Sequence, residues 1–393
     1  MARSLDRLTE LGTGLDTRTA PHPGVRAYRN RHPQGETQAS HQWATRPDDE
    51  RFWTLEELHA ATLAHANSSA ETLQPAIDCR LGSNDRGITM HSELGELDVS
   101  HYAFTQVCRQ LGAPASYLRQ LPASLAVDCL EEGRLSNEAG SKERNLLIDT
   151  STDNPRLRAT TSNRYVRVWN HEIVQALGGL QSEGWVVPAA RPSGNESEGR
   201  TRIATEADCI DYGDSPLSVK PGDTIAPAGL YASDHDMFAF LINPEIVIDN
   251  GLSPAGMRRG TMIRQSEVGS CAIWKLDFLF DTVCGNHIVW DAREVQETRV
   301  RHMGSGVEDN WVAMIRNITS EAQMAAQEQE SEIRRSQEII LGAGKDEIIS
   351  LLFKNRWATK RAASQAFDIA EANSESHGDP HSLWGMVSGM TRL

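Results

Sequence analysis

The chain has 393 residues, of which 39% are hydrophobic and nine are Trp, enough for a sizeable core; two domains, or one with helical additions, fit that length. A formal charge of −15 excludes a protein coated in positive charge, although a local cluster of cations can still hold a polyanion. No apolar run approaches the roughly 18 residues a membrane helix needs. The opening MARSLDRLTELGTG lacks the apolar stretch of a signal peptide, so the expected setting is cytoplasmic, without membrane contact.

The elements divide into four zones. Residues 1–50 are rich in Arg, Thr, Pro, Gly and His without sustained periodicity, and read as an arm or loop. Residues 51–144 read as a mostly helical N-terminal subdomain. A helix covers 51–75, with Thr54 and Glu57 spaced as a capping box. Strand-like patterning runs from Ile77 to Leu97. Ser100 caps a helix through His101, Phe104, Val107 and Leu111, which Gly112-Ala113-Pro114 breaks, and more helix follows from Tyr117 to Leu130.

Residues 145–303 read as a β-rich body. Candidate strands are Leu146–Asp149, Leu157–Thr160, Tyr165–Val168, Trp185–Pro188, Ile203–Ala204, Phe238–Ile242, Ile246–Ile248, Gly260–Gln265 and His287–Trp290, with a helix at Glu172–Leu177. A longer helix is expected over Trp274–Val283, although the apolar run from Cys271 fits strand as well as helix by period alone. Gly184 is expected at positive φ and Trp185 in the core. Residues 304–393 read as helical, with Trp311, Ile315 and Ile318 on one stripe, then a polar stretch that is either an exposed helix or an oligomer contact, after which Ile348 to Phe353 and Trp357 resume the apolar pattern. The class is α+β: a central curved mixed or antiparallel sheet with packed helices.

Chemistry is sparse. There is no phosphate-binding glycine loop, no nucleophile elbow and no H-E-x-x-H. The six cysteines (79, 108, 129, 209, 271, 284) form no C-x-x-C pair and read as free thiols. Asp234-His235-Asp236 reads as a polar turn before a strand, with a metal or acid/base role as its rival, and Cys284 with His287 as a helix-to-strand turn. No catalytic residue, cofactor or metal site is assigned.

Two arginine clusters stand out in this acidic chain. Arg156 to Arg167 and Met257 to Arg264 contain no Asp or Glu. The first also carries Tyr165, and Trp169 lies two residues beyond it. Cations for phosphates and rings for bases are what a single nucleic-acid strand requires. Arg158, Arg164, Tyr165, Arg167, Arg258, Arg259 and Arg264 are therefore the candidate contacts. The competing reading puts the rings in the core and the arginines along a solvated edge.

Several strings resemble a phage- and plasmid-borne family called domain of unknown function nine-three-two. They are QLGAPASYLRQL (Gln110–Leu121), ATTSNRYVRVWNHEIVQAL (Ala159–Leu177), RQSEVG (Arg264–Gly269), VCGN (Val283–Asn286), RHMG (Arg301–Gly304) and SLWGMVSGMT (Ser382–Thr391). They follow that family's order from about residue 95 to the C-terminus. More locally, the order strand, N-x-E-I-V-x-x-L helix, Gly184-Trp185 and strand is similar to Rad-fifty-two-type single-strand annealing proteins. That resemblance implies a β-β-β-α unit on a curved sheet, ring-like homo-oligomers, and a non-enzymatic role in annealing single-stranded DNA during recombination. Two alternatives stay open: an acidic protein that inhibits a host factor, and a metal-dependent enzyme using Asp234, His235, Asp236, Cys284 and His287.

Overall fold

The computed structural model describes residues 50–136, 142–188, 200–209, 219–227, 229–252, 256–281 and 297–390. The arm or loop expected over 1–50, apart from its last residue, the strand expected at His287–Trp290 and the turn at Cys284 to His287 lie outside these residues.

The chain is α+β. Among the described residues the longer strands form two six-stranded sheets. The first is antiparallel throughout, in the order β1 (Arg51–Phe52), β10 (Leu230–Ala232), β11 (Met237–Ile248), β12 (Met257–Gln265), β13 (Ile273–Asp281), β14 (Glu297–Val300). The second runs β2 (Ser69–Pro75), β6 (Glu143–Asp149), β7 (Arg156–Ser162), β5 (Gly95–Val99), β4 (Gly87–Ser92), β3 (Leu81–Asn84), with one parallel pair, β5 on β7. A separate two-stranded pair joins β8 (Arg202–Ile203) to β9 (Thr224–Ile225).

This arrangement corrects the division at residue 145. Strands β2 to β5 precede it, β6 spans it and β7 follows it, yet all six share one sheet. The helix expected over 51–75 is α1 (Leu55–Asn67), started as expected by Thr54 accepting from the Glu57 amide, and it stops at Ser68 so that β2 can pair with β6. The second sheet packs against α2 (His101–Gln110), capped by Ser100, and α3 (Ala123–Ser136).

On the first sheet, side chains alternate between two apolar layers. Met237, Ala239, Leu241 and Ile263 face α1, α4 (Asn170–Gly179), α5 (Val307–Arg316) and α6 (Ile318–Glu338). Phe238, Phe240, Met262 and Phe278 form the other layer. Gly260 is required here: it pairs with Phe278, and a β-carbon on it would collide with that ring.

The helix expected over Trp274–Val283 is β13 instead. Its buried Lys275 and Asp277 interrupt the apolar pattern that would have marked a strand. Lys275 pairs with Asp277 at 2.8 Å and with Glu321 of α6, and Thr261 donates to Asp277 at 2.9 Å. Tyr165–Val168 is likewise not a strand; only an isolated bridge links Tyr165 to Met303. Gly184 has φ 87° and Trp185 is 1% exposed, as expected; the indole donates to Thr319 at 2.9 Å.

The C-terminal region is helical. After α6, α7 (Lys345–Lys354), α8 (Lys360–Ala372) and α9 (Leu383–Met390) gather around Ile348, Leu352, Ala366, Phe367 and Met386. Helices α8 and α9 touch backbone to backbone. A β-carbon on Gly389 would run into the Ala366 carbonyl, which explains the small residues in the SLWGMVSGMT string.

Candidate nucleic-acid interface

The two arginine clusters meet, but in the interior. Arg158 is the extra residue where the β6–β7 register slips, and such a bulge re-aims its side chain. It points into the seam between the sheets, where it donates to Glu267 at 3.1 Å and to Ser69 at 2.9 Å. Both partners of the ion pair are buried: Arg158 is 5% exposed and Glu267 1%. The other carboxylate oxygen of Glu267 accepts from the Asn170 amide at 2.8 Å, at the first turn of α4, where the helix dipole favours a negative charge.

Arg167 is held the same way. It pairs with Glu71, donates to the Glu267 carbonyl and lies between the Tyr165 and Trp169 rings, 5.5 and 5.8 Å from their centroids. The Tyr165 hydroxyl donates to Ser266 at 2.9 Å, its ring stacks on His302, and burial pushes its pKa up. Arg264 is bound to Asp236 at 2.8 Å. Arg258 and Arg259 are 7% and 3% exposed. Of the seven expected contacts, Arg164 alone is exposed. The segments lack acids in sequence, but the fold delivers Glu71, Asp236 and Glu267 to them. A guanidinium already desolvated and paired is not available to a phosphate, so this cluster is a structural seam.

The Asp234-His235-Asp236 turn connects β10 to β11. Asp234 pairs with Arg156 at 2.7 Å, Asp236 with Arg264, and His235 packs edge-on against Tyr102. Among the described residues no group of three or more His, Cys, Asp and Glu is arranged to hold a metal ion.

The same criterion, cations and rings without acids, picks out a segment that sequence reading passed over as a resumed apolar helix. Residues 353–361, FKNRWATKR, contain four cations, two aromatics and no carboxylate. Here the side chains face outward. Phe353 is 50% exposed and Trp357 60%. Lys354, Arg356, Lys360 and Arg361 are exposed, and none forms an ion pair among the described residues. Lys360 sits 5.2 Å from the Phe353 centroid, so ring and cation share one surface.

The local backbone fixes this display. Helix α7 ends in a Schellman turn: the Trp357 amide donates to Leu352 at 3.0 Å and the Arg356 amide to Phe353 at 3.1 Å. The turn demands a left-handed residue, normally glycine, and Arg356 occupies it at φ 58°. It is the one positive-φ residue other than glycine among those described. An L side chain there costs about 1–2 kcal/mol. Thr359 then caps α8, accepting from the Ala362 amide at 3.2 Å, so Lys360 and Arg361 occupy the first turn. Cations at a helix N-terminus oppose its dipole. Two local choices thus work against stability, and both add positive charge to one surface, where the free amides of the α8 first turn also favour an anion. Comparison with known proteins returns no matching family model, no similar curated protein and no similar solved structure.

Proposed function

We propose that the protein binds single-stranded nucleic acid through the α7–α8 turn. The supporting observation is the shared exposure of Phe353 and Trp357 with four cations unpaired among the described residues, in a chain of net charge −15. Phosphates would take Lys354, Arg356, Lys360 and Arg361. Bases would stack on Trp357 and Phe353, which a duplex cannot offer without unpairing. Stacking reads no sequence, so binding is general. Strand annealing, as in recombination of a mobile element, is the activity that such binding would serve. A homo-oligomer would set several turns along one strand. Annealing makes and breaks no covalent bond, so it asks for no catalytic group.

The test is fluorescence anisotropy with labelled oligonucleotides of two unrelated sequences across a salt series. The parent should bind both alike, and log affinity should fall with log salt by about 0.7 per phosphate contact. Replacing Lys354, Arg356, Lys360 and Arg361 together by Ala should flatten that slope by about 3 if all four make contacts. Arg164→Ala tests the earlier cluster and should change little. Absence of binding at low salt, or a fourfold variant that binds like the parent, removes the proposal. The rate at which complementary strands pair with and without protein tests annealing separately.

A further inference from the structure

The second sheet carries a half-buried cation with no ion pair among the described residues. Arg144 is the second residue of β6 and, by strand alternation, lies on the same face as Leu146 and Ile148. That face packs against Met90, Leu97, Val107 and Leu157. The Arg144 side chain therefore starts within an apolar layer. It borders a cavity of about 30 Å³ whose wall includes Cys79, Gln110, Thr160, Met90 and Val107.

Arg134 borders the same cavity but is fully engaged. It donates to Glu131 from Nε at 2.9 Å and to the Ile77 carbonyl at 2.6 Å. Arg144 differs. Its Nε is buried with no hydrogen-bond partner, and it has no ion pair among the described residues. Burial pushes the guanidinium below its ordinary value. Cys79 does not supply the missing charge: burial raises its pKa, and it stays a thiol beside the Gln74 amide at 3.1 Å.

We infer that this cavity binds a small monocarboxylate, with its carboxylate on Arg144 and its short apolar tail against Met90 and Val107. Three features select that class. A half-buried guanidinium whose Nε is enclosed without a partner favours an anion. Its planar fork matches a carboxylate in two parallel hydrogen bonds. The remaining wall is largely apolar, and the space corresponds to roughly two or three waters, which suits a tail of one or two carbons.

The experiment titrates the intact protein with sodium propionate, propionamide and sodium chloride at constant ionic strength, by calorimetry. It also follows the alkylation rate of each cysteine by mass spectrometry. Propionate should bind and slow Cys79 alkylation at least fivefold while leaving the exposed Cys129 unchanged. Propionamide, which has the same shape without the charge, should do neither. Arg144→Met should abolish the protection, and Arg144→Lys, which keeps charge but loses the fork, should weaken propionate affinity about tenfold. Equal effects of propionate and propionamide overturn the inference, as does protection by chloride equal to that by propionate. Those two comparisons use the unaltered chain, so they hold even if the variants fold poorly. No binding of propionate overturns it as well.

Discussion

Arg158 and Glu267, far apart in sequence, meet at 3.1 Å in the seam between the two sheets, and neither is more than 5% exposed. Removing one partner leaves a buried charge without its mate. Arg158→Met should destabilise the fold by about 3–5 kcal/mol in urea denaturation. Adding Glu267→Gln should recover part of that loss. Equal stability of Arg158→Met and the parent would show that the pair is not what closes the seam.

Trp185 carries a different kind of weight. It is 1% exposed in the layer between the first sheet and α4, α5 and α6. Trp185→Ala should cost about 3–5 kcal/mol. Trp185→Phe keeps an aromatic ring and gives up the bond to Thr319, and should cost less. A Trp185→Ala protein that melts like the parent would place the ring outside the core.

His302 makes stability depend on pH. Burial lowers its pKa from the ordinary 6.5, outweighing its hydrogen bond to the Val166 carbonyl, and the nearby Arg167 charge lowers it further. The folded protein thus keeps the ring neutral where the unfolded chain takes up a proton. Stability is complete above pH 6.5 and falls as pH drops below that value toward the folded pKa. Melting temperature between pH 7.5 and 5.5 should decline in the parent and decline less in His302→Gln. Parallel declines would assign the effect to another group.

Arg356 should show a trade between stability and binding. Arg356→Gly suits the left-handed position and should stabilise by about 1 kcal/mol. It should also weaken strand binding and reduce the salt slope by about 0.7. A glycine variant that gains stability and keeps its affinity would remove Arg356 from the interface.

Gly389→Ala probes the mounting of that interface. The added methyl would meet the Ala366 carbonyl, a backbone atom that cannot rotate away. Helices α8 and α9 should separate. Hydrogen exchange across 345–390 should accelerate, while 143–162 should stay protected. Unchanged exchange would show that the helices can shift apart without loss.

Local signals in the sequence were legible wherever neighbours decide the structure. Thr54 and Ser100 cap their helices, Gly112 follows the end of α2, Gly184 takes positive φ, and α4 lies where N-x-E-I-V-x-x-L placed it. The reading failed where distant residues decide. Lys275 and Asp277 look out of place in a strand until Glu321 and Thr261 are brought to them. Arg158, Arg167 and Arg264 look unpaired until Glu267, Glu71 and Asp236 arrive from other elements. The 353–361 surface was readable by the same acid-free test, but Phe353 and Trp357 resembled the continuation of an apolar stripe, and only their exposure shows otherwise.

Helix α1 stands between β1, an edge of the first sheet, and β2, an edge of the second. During synthesis the partner of β2 is complete once Asp149 has emerged, whereas β1 waits for Tyr231. The second sheet can therefore close on the ribosome while the first is still an open end, leaving α1 as a half-docked hinge through much of translation. Protease digestion of stalled nascent chains should find residues 69–162 protected well before 230–300. The reverse order would mean that long-range closure of β1 onto β10 leads assembly.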